Sequence, residues 1–503
     1  MKFIDLFWSQ YLKLAKSEID YFNNNAMEVQ WNQLKKILNI AENTEWGKKY
    51  LFNTIQNTDQ WKNKVPIQNY DSIKSDIHRM MTGESNILWP GTVSNFAKSS
   101  GTTSDKSKFI PITKENHKEC HTQGGIKLMA VIYDQVENVE ILSGKTIVLA
   151  GSTQNNSLEY PNTVIGDVSA VIYRNLSRIL KSFLVPEEQY NLLDDSDLKL
   201  DIIAEKSLYE DVRMMAGSPT WMLILCKKML KLSGKSNMIE IWPNFKILIH
   251  GAVSFVPYRR TFEDIFPSKE VYYFETYNAS EGYFAVQDKA NSNELLLLLD
   301  LGIFYEFIPS EEFDNPDPKT HLIDEVELDK QYSIVITTNS GLYRYEIGDT
   351  IQFTNLKPYR FKISGRTKQY LNVFGEELMV SNTDEAISKT SKHFSVKVKD
   401  YTVAPIFQSQ SNKGGHEWII EFEDQAPDSE EFAEFLDKTI QSLNSDYEAK
   451  RFKNLALERL RLHIAKQDCF SEWMKATNRI GTQKKVPRLA NHRSYLDEIL
   501  AFA

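Results

Sequence analysis

At 503 residues, with 42% hydrophobic and 25% charged side chains, the chain has the make-up of a soluble globular protein of two or three domains, or of one large domain with an appendage. That composition excludes disordered and fibrous classes. A net charge of −9, with no dense Lys/Arg block beyond pairs such as Lys227-Lys228 and Lys484-Lys485, argues against nucleic acid as the main partner.

Met1 to Asn23 carries Phe3, Phe7, Tyr11 and Leu14 at helical spacing, but Asp5 and Glu18 interrupt it and no small-residue cleavage pattern follows, which predicts an amphipathic helix instead of a signal peptide. Trp31, Leu34, Leu38 and Ala41 continue the helical period up to a polar turn at Glu42-Asn43-Thr44, so the first ninety residues read as a helical supporting layer. Cys120, Cys226 and Cys469 are odd in number and far apart; no disulfide framework is expected, and a reducing cytoplasm fits best. The longest apolar run, Leu295 to Leu299, falls far short of the roughly 20 residues a spanning helix needs, so no membrane segment is expected.

Next comes Ser99-Ser100-Gly101-Thr102-Thr103-Ser104-Asp105-Lys106-Ser107-Lys108, set between two short runs with strand character, Val93 to Ala97 and Phe109 to Ile112. Hydroxyls, a glycine that admits close backbone approach and two lysines are what polyanion binding needs. A solvated polar turn has the same composition. The spacing is not that of a Walker loop, which needs a second glycine followed by Lys-Ser/Thr. Thr113 is a candidate N-cap for a helix carrying His117, Cys120 and His121. The two histidines share a face, yet Lys118 and Glu119 fit neither His-Glu-x-x-His nor His-x-x-Glu-His and no third ligand is evident, so no metal is assigned there.

Thr146 to Ala150 reads as a buried strand ending in Gly151, and a helix is predicted from about Gly166 to Phe183. Ser218-Pro219 opens another helix and Gly234 closes it. Phe245 to His250 is a predicted strand running into Gly251-Ala252, which either floors a pocket or makes a simple turn. From Val271 to about Ile363 strand follows strand, including Val271 to Glu275, Tyr283 to Gln287 and Leu342 to Tyr345. Two polar clusters interrupt them: Tyr277-Asn278-Ala279-Ser280-Glu281-Gly282 and Tyr343-Arg344-Tyr345-Glu346-Ile347-Gly348-Asp349, each readable as a turn. Beyond Ser364-Gly365-Arg366-Thr367-Lys368, helices at Asp384 to His393 and Ser429 to Leu443 alternate with strands at Val396 to Val403, Trp418 to Phe422 and Arg459 to Ile464. A polar loop, Gly481 to Arg488, precedes a closing helix.

ATP use would employ all four clusters. Hydroxyls and amides hold phosphates, a carboxylate brings in magnesium, an aspartate accepts ribose hydroxyls, and a lysine neutralises charge at the α-phosphate. Ser99-Ser100-Gly101-Thr102-Thr103, Tyr277-x-x-Ser280-Glu281-Gly282, Tyr343-Arg344-x-x-x-Gly348-Asp349 and Lys485-x-Pro487-Arg488, in this order, resemble the acyl acid amido synthetases of the auxin-responsive family, a branch of the acyl-adenylate-forming superfamily. Gly217-Ser218-Pro219-Thr220-Trp221, Trp242-Pro243-Asn244 and His416-Glu417-Trp418 resemble further stretches of that family.

The resemblance implies an α/β fold: a large N-terminal acyl-adenylate-forming domain with mixed sheets and helices, residues 1–366, and a small mobile α+β C-terminal domain, residues 367–503. It implies ATP and Mg2+ as cofactors, with a small carboxylic acid and an amino acid or other amine as partners. By matched position, Ser99, Ser100, Gly101, Thr102 and Thr103 would hold phosphates, Glu281 would ligate Mg2+ beside Ser280, and Tyr277 would pack near the adenine. Asp349 would bind the ribose, Gly251 and Ala252 would floor the site, Arg366 would precede a hinge at Thr367 or Lys368, and Lys485 would stabilise adenylation. Lys106 and Lys108 read as solvated or auxiliary. Asp105 and Ala252 stand where many relatives have glycine, and the chain is shorter than the plant members, so the reaction carries over and the hormone substrate does not. A coenzyme A ligase and a non-catalytic ATP or carboxylate binder are the rival readings; the oligomeric state is open, a monomer being compatible.

Overall fold

Short β-branched and aromatic runs alternating with amphipathic helices build a ten-stranded mixed sheet, which is the spine of the molecule. The computed structural model describes residues 2–100, 107–155, 160, 162–193, 195–256, 258–290, 292–313, 315–367, 370–408, 413–423, 425–477 and 486–503. Four parallel strands, Lys145–Val148, Val212–Gly217, Ile247–Gly251 and Tyr272–Ala279, make one half of the sheet. Parallel neighbours need crossovers, and the helices Pro219–Ser233 and Arg259–Ile265 supply two of them. From Tyr272–Ala279 onward the sheet is antiparallel, through Gly282–Val286, Leu295–Leu297, Tyr359–Arg366, Tyr345–Leu356, Gln331–Thr338 and Ile303–Pro309.

Because successive strand residues face opposite sides, the sheet feeds two cores. Ile247, Ile249 and Phe274 join Leu34, Trp61 and Ile77 of the helical N-terminal layer, whereas Leu248 and Tyr273 join Met222 and Phe262 of the crossover helices. The change from parallel to antiparallel pairing takes place at Ser280-Glu281, a two-residue turn with Ala279 opposite Gly282. Ligands of open α/β sheets gather beyond the carboxyl ends of parallel strands, and this switch point in pairing lies at the carboxyl end of Tyr272–Ala279. The fold therefore holds this turn where a ligand would sit.

The predicted strands flanking the hydroxyl-rich stretch are Asn95–Ser100 and Ser107–Pro111, paired antiparallel with Ser99 opposite Lys108. Two sequence expectations need correction. The helix expected from Gly166 to Phe183 is a strand, Val164–Gly166, and two short helices, Val168–Arg174 and Arg178–Lys181, because Asn175 ends the first and the Ser177 hydroxyl caps the second by accepting from the Leu180 N–H. The strand expected at Leu342 to Tyr345 begins only at Tyr345 and runs to Leu356, since Gly341 at φ +90° and Arg344 at φ +46° bend the chain before it. Gly348 and Asp349 consequently lie within a strand, not in a turn.

After Arg366 the chain forms a second unit: a two-stranded hairpin, Tyr370–Leu371 with Leu378–Met379, and a three-stranded sheet of Val398–Ile406, Gly415–Phe422 and Arg461–Ala465 with the helices Val380–Phe394 and Ser429–Leu443. It rests on the first unit through a few defined contacts. The Tyr258 hydroxyl donates to the Val373 carbonyl at 2.9 Å, Asn372 Nδ2 to the Ala252 carbonyl at 3.2 Å, and Ser107 Oγ to Ser445 Oγ at 3.1 Å. The Lys450 ammonium stands 5.4 Å from the centre of the Trp221 ring. Leu371, Phe374 and Leu378 share one buried cluster with Leu223, Phe255 and Tyr258. Among the described residues, no helix is long and apolar enough to cross a membrane.

Candidate active site

Strand register assembles the centre of the site. Asp349 and Arg366 are direct partners across the antiparallel pair, which lets Arg366 Nε donate to Asp349 Oδ1 at 2.7 Å. From the last parallel strand, the Tyr277 phenol donates to Asp349 Oδ2 at 2.5 Å. Burial, with the Asp349 charge beside it, pushes the phenol well above its ordinary range, so it stays protonated and remains a donor. Burial works against the Arg366 charge, but Asp349 and Glu377 outweigh it and raise the guanidinium further. Arg366 reaches Glu377 of the second unit at 3.7 Å and lies 4.9 Å from the Tyr370 ring centre. A carboxylate offers about four acceptor positions, so Asp349 keeps room on both oxygens for two further donors such as vicinal hydroxyls.

Glu281, in the turn at the switch point, is only 7% exposed. Burial raises its pKa, and Lys108 pulls the other way. Of the two readings of Lys108, solvated or auxiliary, this cross-talk favours the second: its charge acts on Glu281 from the strand opposite Ser99. A buried carboxylate with so little countercharge suits a divalent cation. Among the described residues no three His, Cys, Asp or Glu side chains converge on a metal position. One carboxylate is nevertheless the usual protein share of a Mg2+ site completed by phosphates and water.

Gly251 ends its parallel strand where a Cβ would come within 2.6 Å of the Thr276 carbonyl, so the floor has no space for a side chain there. Ala252 follows at φ +69°, a left-handed conformation that glycine adopts more readily than alanine. Ser280 is buried and Ser99 half-buried. Ser100 contributes strand backbone, opposite Ser107. Gly101, Thr102, Thr103, Lys368 and Lys485 lie outside the described residues. The chain after Lys485 is anchored on the strand Val398–Ile406: Thr402 Oγ1 donates to the Pro487 carbonyl at 2.5 Å, the Val403 N–H to the Arg488 carbonyl at 2.9 Å, and Arg488 pairs with Asp400. Thr367, the proposed pivot, donates its N–H to the Gly348 carbonyl at 2.9 Å.

Three contacts around these residues are not evident from the sequence. Glu377 meets Arg366 across the two units, Lys108 acts on Glu281, and Asn278 holds His121 at 3.2 Å. Only Lys108 left a trace in the sequence, as the alternate position of a strand flanking the loop. Arg344, by contrast, belongs to a matching motif but not to the site. It is buried in a bidentate pair with Glu306 and donates to the carbonyls of Lys62 and Val65.

Comparison with known proteins places this arrangement. The curated relatives it matches include an indole-3-acetic acid-amido synthetase, GH3.3 of Arabidopsis thaliana, 24% identical over 93% of this chain and 90% of that protein, and a jasmonoyl–L-amino acid synthetase, GH3.5 of Oryza sativa subsp. japonica, 24% identical over 94% of each. In fold the chain resembles the AtGH3.15 acyl acid amido synthetase in complex with 2,4-DB (TM-score 0.64, 17% identity, 98% of this chain and 96% of that one). It also resembles a 2-hydroxyisobutyryl-CoA ligase in complex with 2-HIB-AMP and CoA (TM-score 0.57, 13% identity, 95% and 93%). Sequence profiles of the GH3 family N-terminal, central and C-terminal domains match residues 15–200 with 155–271, 296–366 and 381–494 in that order. With the N-terminal profile alone spanning more than half of the chain, the protein belongs to the GH3 family.

Proposed function

We propose that this protein adenylates a small carboxylic acid with ATP and passes the acyl group to an amine, with an amino acid as the expected acceptor. The observation that carries the reading is the Tyr277–Asp349–Arg366 cluster, formed beside a turn that presents the buried Glu281 at the sheet's switch point. Amido synthetases matched over nine-tenths of their length support the same reading.

A free carboxylate resists amines because it is anionic and would have to expel oxide. In the first half-reaction a carboxylate oxygen attacks the α-phosphorus, pyrophosphate departs with the electron pair of the broken P–O bond, and the acyl group is held as a mixed anhydride with AMP. In the second, the amine nitrogen attacks the acyl carbon, AMP departs with the electron pair, and the nitrogen releases a proton. Little covalent work falls to the protein; its part is positioning and charge neutralisation. Asp349, oriented by Tyr277 and Arg366, accepts the ribose hydroxyls, and Ser99 to Thr103 take the phosphates. Mg2+, when bound at Glu281, would neutralise phosphate charge. Lys485 stabilises charge developing at the α-phosphate, and a small domain beginning at residue 367 turns about Thr367 or Lys368 between the half-reactions.

Acid-dependent exchange of labelled pyrophosphate into ATP, across aryl and aliphatic acids, tests the first half-reaction. Lys485→Ala should slow it by about two to three orders of magnitude, the range for removing one preorganised charge donor; undiminished exchange would remove Lys485 from the mechanism. Offering amino acids or coenzyme A to the trapped adenylate separates amide from thioester formation.

A further inference from the structure

Beside Glu281 lies a second group of polar atoms to which the adenylating scheme gives no task. The helix that Thr113 caps widens over Asn116–Thr122 into a π-turn before continuing as Gln123–Gln135. Such widenings recur at functional sites because they reorient side chains. This one is fastened to the strand that follows Glu281, since Cys120 Sγ accepts the Tyr283 N–H at 3.2 Å.

The π-turn brings His117 and His121 within electrostatic reach of each other. His121 is 3% exposed, and its Nδ1 lies 3.2 Å from the amide oxygen of Asn278, next to Tyr277. An amide oxygen can only accept, so Nδ1 carries the proton and Nε2 is left with a bare lone pair. That Nε2 is buried and has no partner among the described residues, and the same holds for Nε2 of His117. Burial lowers both rings, His121 to about 4 with Asn278 opposing and the neighbouring His117 adding to the effect, and His117 against a hydrogen bond to the Ile172 backbone. The buried, bare acceptor on His121 calls for a donor. A carboxylate offers none, and a metal would need a third ligand that the described residues do not supply.

Asn278, which holds His121, lies on the strand that leads into the Glu281 turn, so an acyl body laid back along that strand from a carboxylate at Glu281 would meet this ring. We propose that His121, with His117 beside it, selects an acid whose acyl body carries a hydroxyl or N–H donor, which the Nε2 of His121 accepts. This inference rests on the adenylating reading and specifies its substrate class.

Pyrophosphate exchange is measured with hydroxy, methoxy and unsubstituted forms of benzoic, phenylacetic and hexanoic acid. In at least one series the wild-type protein should favour the hydroxy acid by at least about tenfold in kcat/KM, because a site built to bond a hydroxyl rejects analogues lacking it. His121→Leu should bring that ratio close to one with the KM for ATP unchanged. Asn278→Asp should protonate the ring, turn Nε2 into a donor and shift preference toward the methoxy acid, a readout that a merely structural residue would not move. Exchange without a hydroxyl preference, or a preference that survives both variants, overturns the inference and leaves the adenylating reading intact. Exchange with no acid at all overturns both.

Discussion

Asp349, the proposed ribose-binding residue, has its behaviour largely set before any ligand arrives. Both of its oxygens are engaged, by Tyr277 and by Arg366, and the pair with Arg366 is mostly shielded from water. Asp349→Asn keeps the shape, removes the charge and leaves a guanidinium facing a neutral amide. We expect the KM for ATP to rise about tenfold and stability to fall by about 2 kcal/mol, the range for a hydrogen bond to a charged group, read by kinetics and by denaturant titration. Arg344 makes the opposite case. Its partner Glu306 also accepts from Trp61 and Thr320, so the cluster fastens the N-terminal helices to the sheet. Arg344→Ala strands a buried carboxylate and should cost about 3–5 kcal/mol, with the remaining folded fraction adenylating at the normal rate. A stable but inactive variant would return Arg344 to the site.

At the scale of elements, the ends of the parallel strands carry opposed titrations. Burial raises Glu275 to about 7 and lowers His250 to about 3, and the two sit opposite each other across parallel strands. For Glu275 the folded pKa exceeds the unfolded value, so its contribution is full below about 4.5 and is lost as pH rises through 7. For His250 the folded pKa is depressed, and stability is lost as pH falls from 6.5 toward 3. Glu275→Gln should therefore raise the Tm at pH 8 and flatten its dependence between pH 5 and 8; an unchanged profile would show that the carboxyl is not titrating there. Element type was largely legible in sequence: the helical first ninety residues, the strands flanking the hydroxyl-rich loop, the helix between Ser218 and Gly234. What stayed hidden had physical causes. Nothing in the sequence marks a π-turn, which arises when tertiary packing, here against Tyr283, favours one extra residue in the turn. The late start of the strand at Tyr345 follows from Arg344 being drawn into its buried pair, a tertiary demand overriding local β-propensity.

On the scale of the whole molecule, the site is a meeting of distant segments. Tyr277 and Asp349 are 72 residues apart, and the motif spelling placed both near a nucleotide without showing that they touch. Only the register of the strands around the switch point makes them partners. The second unit adds Glu377 to the same centre, and its seat on the first includes the Tyr258 hydrogen bond to Val373. Tyr258→Phe removes that bond, worth about 1 kcal/mol, together with the hydroxyl's 3.0 Å bond to Thr220 Oγ1 within the first unit, and should leave both units folded while proteolysis near Thr367 speeds up about fivefold. Cleavage at the wild-type rate would show that the seat does not depend on this bond.

The Lys450–Trp221 contact has an optical corollary. An ammonium held over an indole shifts the ring's excited-state energy, and these two side chains belong to different units. Any rotation of the second unit would strip the cation from the indole and change its emission. Stopped-flow fluorescence, with Trp221→Phe as the blank, would therefore test without an attached dye whether the proposed rotation accompanies each half-reaction.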